Sequence, residues 1–419
     1  MPDKINKRMV IEMGIVHVDN LEPGMMLSED VRDVNSRLLL TKGQKIQSKH
    51  IRIFKIWGIT EVGVEGEIQN KKNNTQINID PDRLERITEE TRYLFKHVDL
   101  SHPVMDELFR ITLLYKSRQE QNDSDNIVLT CGDEIKGHFI YDIKKMIASK
   151  EIKLPEMPST AIELNEIVED PTASAHCIAE VVNRSPSLAT LLLKIVNSSF
   201  YGFPSKINNI SRAVTIIGTR EITGLALGLS IVEAFKDIPK EIIDISSFLR
   251  HSIACGIISR ILAAKKNIPQ TEQMFVSGLL HDIGRLIIYQ YFPDQAMTLL
   301  GLAAKSDNLL YQQEKTFLGG NHTLIGKYLL KEWKLPLDLE NNIFFHHNPS
   351  AANDPVKPAI VHLADIMVNA LRLGTSGEKF VPFFDDKAWD NLEMSPGDFE
   401  AIIQHATHQL IPLESFFHG

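Results

Sequence analysis

From Leu154 to its end the chain is patterned as one helix after another, and this pattern most constrains what it can fold into. Proline punctuates the segments: Asp170-Pro171 ends one predicted helix, and Ser185-Pro186 begins another with proline in its first turn. No strand-length segment of alternating polar and apolar residues stands out in this part. We therefore predict a mainly α protein, with a large all-α domain over residues 151–419.

The N-terminal part differs, because short β-rich runs alternate with turns there. Runs such as GIVHV and TEVGVEG are separated by turn signals at Glu22-Pro23-Gly24 and Lys42-Gly43. Between them, SKHIRIFKIWG predicts one short helix, with Ser48 as its N-cap and Gly58 just past its end. These features predict a small β-rich module over residues 14–66.

Between these two domains we expect a linker and a helical connector. Residues 67–79 are polar and rich in asparagine, which is linker composition. Two amphipathic segments follow, one from Pro81 and one over residues 104–118, and the polar run QEQNDSDN comes after them. We predict a helical connector over residues 80–150.

Composition excludes several classes of protein. The 419 residues, 43% hydrophobic and 24% charged, describe a soluble globular chain with two or three domains. A net charge of −9 argues against a non-specific nucleic-acid or anionic-membrane binder, so we expect neither partner. Three widely spaced cysteines form neither a disulfide framework nor a CxxC zinc site, which favours a reducing compartment.

The sequence also predicts a cytoplasmic protein. The N-terminus has no apolar core of signal-peptide length. The most apolar stretch, residues 213–235, contains Arg220, Glu221 and Glu233, and therefore predicts a buried core helix rather than a membrane span.

The informative chemistry is a series of histidines and aspartates on helix faces that should be buried. Its members are His251, His281, Asp282, His322, His346, His347 and Asp365. An unpaired buried carboxylate costs several kcal/mol, on the order of the desolvation penalty of an ion, so these aspartates need partners. Imidazoles and carboxylates on converging helices suit a divalent metal such as Zn, Mn or Fe. Two neighbouring metals would support hydrolysis of a phosphoryl group.

The adjacent pair His281-Asp282 allows two arrangements. On an ideal helix the two side chains point about 100° apart. The pair could then serve one metal obliquely, or Asp282 could bridge two.

A hydrogen-bonded core is the alternative to a metal site. A single histidine on an apolar face, such as His362, is usually a satisfied core residue. A buried aspartate can also pair with arginine, for which Arg250, Arg285 and Arg372 are candidates. The residues alone leave metal binding and a hydrogen-bonded core equally open.

Several segments resemble a known family. LPEMPSTAIELNEIVEDP, FLRHSIAC and FVSGLLHDIGRLII look like parts of an HDOD domain, the HD-related output domain of bacterial signalling proteins. The resemblance runs from about Ile152 to the His346-His347 region, roughly half of the chain. The segment LEPGMMLSEDVRDVNSRLLLTKGQ is similar to the small domain often found ahead of HD-GYP phosphodiesterases.

The resemblance implies a regulatory or scaffolding output, since HDOD domains commonly lack the full metal-ligand set of HD phosphohydrolases. In this chain, however, the series matches the ligand order of HD and HD-GYP enzymes. Mapped across, one metal site would comprise His251, His281, Asp282 and Asp365, and a second would comprise His322, His346 and His347. The GYP signature is absent, and Ser247 is no carboxylate, which counts against a third metal.

Two functions follow from the resemblance. The first is a cytoplasmic signal-transduction protein that acts through a signalling protein partner, with a divalent metal (Mn, Fe, Zn or Mg) as the expected cofactor. The alternative is a metal-dependent phosphohydrolase for a nucleotide or cyclic dinucleotide. In the alternative, Asp282 and Arg285 are the catalytic residues, and Arg285 steadies the phosphate where HD-GYP enzymes usually have lysine.

Overall fold

The computed structural model divides the chain into two compact units, residues 1–79 and residues 80–419. The residues that it describes are 13–18, 21–32, 38–56, 59, 61–65, 81–118, 142, 145, 154–170, 172–198, 201, 203, 205–235 and 237–417. The predicted linker at 67–79, the predicted helix end at Gly58 and the polar run QEQNDSDN lie outside the described residues.

The first unit combines short antiparallel strands with one helix. Strand β1 (Met13–His17) pairs antiparallel with β4 (Glu61–Glu65), and β2 (Val31–Arg32) pairs with β3 (Leu38–Leu40). Helix α1 spans Ser48–Ile56. Alternation along β4 buries Val62 and Val64, which pack with side chains of the turns and of α1 in a small apolar core.

The described part of the second unit is helical. Its helices are α2 (Pro81–Leu94), α3 (Pro103–Arg118), α4 (Ser159–Glu169), α5 (Ala175–Asn183), α6 (Pro186–Asn197), α7 (Ile210–Ile217), α8 (Thr219–Glu233), α9 (Ile245–Lys265), α10 (Thr271–Leu280), α11 (Ile283–Tyr291), α12 (Pro293–Ser306), α13 (Leu310–Leu318), α14 (His322–Glu332), α15 (Leu337–Phe345), α16 (Val356–Leu371), α17 (Asp386–Asp390), α18 (Asp398–Leu410) and α19 (Glu414–Phe417). Short 3₁₀ turns cover Pro349–Ala351 and Ile411–Leu413. The prediction of a mainly α protein is confirmed.

Local sequence explains where several of these helices begin. The Ser185 side chain accepts a hydrogen bond from the Leu188 amide, and Pro186 occupies the first turn of α6 as predicted. Ser174 and Asn209 cap α5 and α7 in the same way. Gly218, with φ of +122°, separates α7 from α8.

Helix α9 lies at the centre of the second unit and is buried over most of its length. It packs against α10 so closely that a Cβ atom on Gly278 would lie 2.6 Å from the Cys255 carbonyl oxygen. Helices α2 and α3, from the predicted connector, contribute Leu94 and Leu108 to the same apolar core. Among the described residues, no helix is both long enough and apolar enough to cross a membrane.

Candidate metal centre

The structure brings the seven predicted histidines and aspartates together at one place in the second unit. We call this group the His–Asp cluster. His251 lies in α9, His281 and Asp282 lie between α10 and α11, His322 begins α14, His346 and His347 follow α15, and Asp365 lies in α16. Six of the seven side chains are buried, whereas His347 is partly exposed.

A break between two helices lets His281 and Asp282 face the same centre. Helix α10 ends at Leu280 and α11 begins at Ile283, and Asp282 has φ of −100° and ψ of 17°. The separation of about 100° expected for neighbours on an ideal helix therefore does not apply.

Asp282 lies between the two predicted ligand groups. Its Oδ2 atom is 3.3 Å from His281 Nε2 and 3.8 Å from His251 Nε2. Its Oδ1 atom is 2.9 Å from His322 Nε2 and 4.0 Å from His346 Nε2. One carboxylate thus faces both groups, the bridging arrangement that the sequence left open.

Asp365 completes the first group from the opposite helix. Its Oδ1 atom lies 3.4 Å from the Nε2 atoms of both His251 and His281. The Asn369 side chain, one turn further along α16, donates a 2.7 Å hydrogen bond to the same oxygen and thereby holds the carboxylate in place.

Three of the imidazoles have their Nδ1 atoms engaged by acceptors. Nδ1 of His281 lies 2.7 Å from the Gly278 carbonyl oxygen, and Nδ1 of His346 lies 2.7 Å from that of Ile343. Nδ1 of His322 lies 2.5 Å from a carboxylate oxygen of Glu314. Since these oxygens only accept, each Nδ1 carries a proton, and whenever the ring is neutral its Nε2 presents a lone pair to the cluster.

Nitrogen atoms of neighbouring rings face each other inside the cluster, where the neutral rings of His281, His322 and His346 present Nε2 lone pairs. His251 and His281 approach with their Nε2 atoms 3.3 Å apart, and His322 and His346 do so at 3.4 Å. Asp282 Oδ1 and His347 Nε2 are buried without a hydrogen-bond partner. Such a set of nitrogen and oxygen atoms fits a divalent cation, which accepts several lone pairs at once.

Three overlapping groups have ligand atoms close enough to hold one ion. They are His251, His281 and Asp282; His281, His346 and Asp365; and His322, His346 and His347. In each group the ligand atoms lie within 4.8 Å of one another. The third has the same members as one group predicted from the sequence. The first contains three of the four members of the other predicted group, and its fourth member, Asp365, falls in the second group with His281 and His346.

Burial and neighbouring charges set the protonation of the cluster. Burial lowers the pKa of His346 to about 3, and His281 and His322 add to the effect. The pKa of Asp282 lies well below its usual value although burial opposes this, because Arg285 and His281 provide positive charge beside it. The carboxylate therefore stays ionised in a buried environment.

The pKa values of two other imidazoles of the cluster are raised. Although burial opposes it, Cys255 and Asp282 raise the pKa of His281, and Glu314 raises the pKa of His322 against the same opposition. The carboxylates thus favour positive charge at this place, and protons and a divalent cation compete for the same nitrogen atoms.

Arg285 lies on the buried side of the cluster. Its guanidinium is buried and donates to Asp282 Oδ2 at 3.0 Å, to Glu314 Oε1 at 3.0 Å and to the Ser376 hydroxyl at 2.6 Å. A third carboxylate, that of Glu378, lies 3.6 Å away. These contacts use Nε and NH1 of the guanidinium, whereas NH2 is buried without a hydrogen-bond partner; the role of Arg285 towards a substrate phosphate stays a prediction.

Sequence reasoning missed Glu314 and Glu378, the two buried carboxylates behind the cluster. Although burial opposes it, His322 and Arg285 lower the pKa of Glu314 to about 2, whereas burial raises the pKa of Glu378 to about 7. One signal was present for Glu314: Leu310, Glu314 and Leu318 follow each other at intervals of four, so that Glu314 shares the buried face of α13.

His362 fills a structural position beside the cluster, as expected for a satisfied core histidine. Nδ1 donates to the His346 carbonyl oxygen at 2.7 Å, and Nε2 accepts from the Asp385 amide at 3.1 Å. Both ring nitrogens are therefore used.

An open cavity of about 410 Å³ borders the cluster at His347. It is lined by His347, Asn348, Ser350, Phe383, Phe384, Asp385, Asp386 and Lys387. The His347 ring stacks on Tyr311, with ring centroids 4.3 Å apart, and has a buried Nε2 atom without a partner. His347 is thus the member of the cluster nearest to solvent.

Residues 154–349 match the model of the HDOD domain family. An uncharacterized protein of Treponema pallidum is 25% identical over 221 residues, which are 52% of this chain but only 42% of that protein.

Two crystal structures share the fold. A protein of Geobacter sulfurreducens with an HDOD domain superposes with a TM-score of 0.50 at 23% identity, covering 64% of this chain and 91% of that one. A Shewanella amazonensis protein named as a candidate phosphohydrolase superposes with a TM-score of 0.51 at 20% identity, covering 66% and 99%. Residues 154–349 of this chain therefore match the HDOD domain family, and the two crystal structures share its fold.

Proposed function

We propose that this chain is a signalling protein whose HDOD domain binds divalent metal ions in the His–Asp cluster and acts as a regulatory output. The observation that carries the proposal is the orientation of the imidazoles. His281, His322 and His346 each commit Nδ1 to an acceptor and present Nε2 to the cluster.

A hydrogen-bonded core does not account for this arrangement as well. In such a core each lone pair would meet a donor, and a buried polar atom without one costs about 1–3 kcal/mol. Here the Nε2 atoms of His251 and His281 face each other and Asp365, and Asp282 Oδ1 has no hydrogen-bond donor. A divalent cation would satisfy these atoms together.

The residues present suggest how two ions would be held. His251, His281, Asp282 and Asp365 would hold one, and His322, His346 and His347 would hold the other, with Asp282 facing both. When bound, such metals lower the pKa of water and polarise phosphoryl oxygens. The chain supplies the orientation of the ligands, and Arg285 keeps Asp282 in place.

Burial favours a regulatory role over turnover. Most of the cluster is closed to solvent, and the Arg285 guanidinium is held by Asp282, Glu314 and Ser376. A metal centre that joins α9, α11, α14 and α16 would stabilise one arrangement of these helices. The proposed output is the surface of the domain in that arrangement, presented to a signalling protein in the cytoplasm.

Metal-dependent phosphohydrolysis is a second candidate, favoured by the cavity beside His347. His347 would link the cluster to a substrate there, and Lys387 in the cavity wall would provide a cation for a phosphate. The name of the Shewanella amazonensis protein, a candidate phosphohydrolase, supports this alternative for a nucleotide or cyclic dinucleotide.

Calorimetric titration of metal-free protein with Mn²⁺ and Zn²⁺ tests the main proposal. The wild type should bind about two ions, and Asp282→Asn, which removes the carboxylate shared by both groups, should lose at least one. Asp294→Asn, on the exposed side of α12, is the matched control and should bind as the wild type does. A wild type that binds no ion would refute the proposal.

Phosphate release from nucleotides and linearisation of cyclic dinucleotides separate the two candidates. The regulatory role predicts saturable metal binding without turnover. Turnover in the metal-loaded wild type that disappears in Asp282→Asn would establish the phosphohydrolase instead.

A further inference from the structure

One buried carboxylate outside the predicted ligand series contacts the cluster from behind. Glu314 lies in α13 and is fully buried. Its Oε2 atom accepts hydrogen bonds from the backbone amide of His322 at 2.8 Å and from His322 Nδ1 at 2.5 Å. Its Oε1 atom accepts from Arg285 Nε at 3.0 Å.

The contact with His322 fixes which nitrogen of that ring is free. A carboxylate on Nδ1 keeps the proton there, so that Nε2 presents its lone pair towards Asp282 and His346. The second hydrogen bond, from the His322 amide, also fixes the first turn of α14 relative to Glu314. The orientation of the ring therefore follows from two contacts with one oxygen.

The contact with Arg285 extends the influence of Glu314 to the other group. Arg285 donates from Nε to Glu314 and from NH1 to Asp282 Oδ2, the oxygen that faces His281 and His251. One carboxylate on α13 thus orients a ligand of the second group directly and the shared Asp282 through a single guanidinium.

We propose that Glu314 is the positioning residue of the His–Asp cluster, which sets the tautomer of His322 and, through Arg285, the orientation of Asp282. The inference rests on the proposed metal-binding function and extends it, because binding in both ligand groups then depends on a residue that touches neither ion.

Glutamine cannot replace this carboxylate without a conflict. Every group that contacts Glu314 is a donor: the amide and Nδ1 of His322 on one oxygen, and Nε of Arg285 on the other. In Glu314→Gln the new NH₂ group must face one of these donors. If it faces His322, Nδ1 becomes an acceptor, and the ring proton moves to Nε2, where it opposes a cation.

Glu378→Gln is the matched control. Glu378 is equally buried and lies 3.6 Å from Arg285, and above its pKa of about 7 its replacement removes the same charge. It accepts from the backbone amides of Leu310 and Lys379, and neither residue belongs to the His–Asp cluster. The pair of variants therefore separates the contact with His322 from the general effect of removing a buried carboxylate.

Two measurements test the inference. In metal-free protein with ¹⁵N-labelled histidine, above the pH at which the rings titrate, the nitrogen shifts should show His322 with its proton on Nδ1. Glu314→Gln should shift that proton to Nε2, and Glu378→Gln should not. In Mn²⁺ titrations, Glu314→Gln should lose about 10–100-fold in affinity, whereas Glu378→Gln should remain within about threefold of the wild type.

An unchanged His322 tautomer together with wild-type Mn²⁺ affinity in Glu314→Gln, or equal losses of affinity in the two variants, would overturn the inference. If the wild type binds no metal, the proposed function fails, and the tautomer comparison alone decides the role of Glu314.

Discussion

Gly284, two residues after Asp282, is where two helices that carry the cluster approach most closely. A Cβ atom built on Gly284 would lie 2.0 Å from the His322 carbonyl oxygen and 2.7 Å from its carbonyl carbon. Both neighbours are backbone atoms at the start of α14, so no side chain can turn aside. We predict that Gly284→Ala separates α11 from α14.

The magnitude follows from the contact distance. To move the Cβ atom from 2.0 Å to an ordinary contact of about 3.5 Å, the two helices must separate by about 1.5 Å, and overpacking of this kind costs about 1–3 kcal/mol. Alanine favours the helix over glycine by about 1 kcal/mol, which offsets part of this cost. The free energy of unfolding should therefore fall by about 0–2 kcal/mol in all. The movement also lengthens the 2.9 Å approach of His322 Nε2 to Asp282 Oδ1, and Mn²⁺ affinity should fall about 10–100-fold.

Gly224→Ala in α8 is the control, because a Cβ atom there would meet nothing within 4 Å. It should gain up to about 1 kcal/mol and leave Mn²⁺ affinity unchanged. Urea unfolding and calorimetric titration of both variants provide the comparison. The reasoning is refuted if Gly284→Ala is as stable as Gly224→Ala and binds Mn²⁺ with wild-type affinity.

Two further predictions concern buried charge. Arg285→Met leaves Asp282, Glu314 and Glu378 without their shared cation, and the free energy of unfolding in urea should fall by about 3–5 kcal/mol. Arg250→Met breaks only a half-exposed pair with Glu414 and should lower it by about 1 kcal/mol or less. Equal losses of stability in the two variants would contradict the role of Arg285 as the shared buried cation. Burial lowers the pKa of His405 to about 4, and Arg260 and His408 add to the effect. Between this pKa in the folded chain and the pKa of 6.5 in the unfolded chain, His405 is protonated only when the chain is unfolded. Stability must then fall as the pH falls, by about 2 kcal/mol between pH 7 and pH 5, and His405→Gln should remove that part of the pH dependence. The same pH dependence in His405→Gln and the wild type would show that His405 does not contribute to it.

The sequence predicted the helices and the members of the cluster well, because both depend on local pattern. Ser185-Pro186 starts α6 where the capping signal lies. The apolar stretch at residues 213–235 is buried in the core as predicted, but it belongs to two helices, α7 and α8, because Gly218 breaks the single helix that the sequence suggested. The resemblance to HD enzymes singled out the seven histidines and aspartates that the fold brings together.

The contacts behind the cluster could not be predicted in the same way. Glu314 and Glu378 come from separate elements that carry no recognised motif, and their role depends on how α13 and the segment after α16 pack around Arg285. The bridging position of Asp282 was left open because the break between α10 and α11 changes the directions expected for an ideal helix.

Crystals of the wild-type protein grown with Mn²⁺ test the central claim most directly, through an anomalous-difference map. The account predicts two peaks inside the His–Asp cluster, one beside His251, His281 and Asp365 and one beside His322, His346 and His347, with Asp282 between them. A map without a peak in the cluster, with water molecules joining the Nε2 atoms instead, would contradict it.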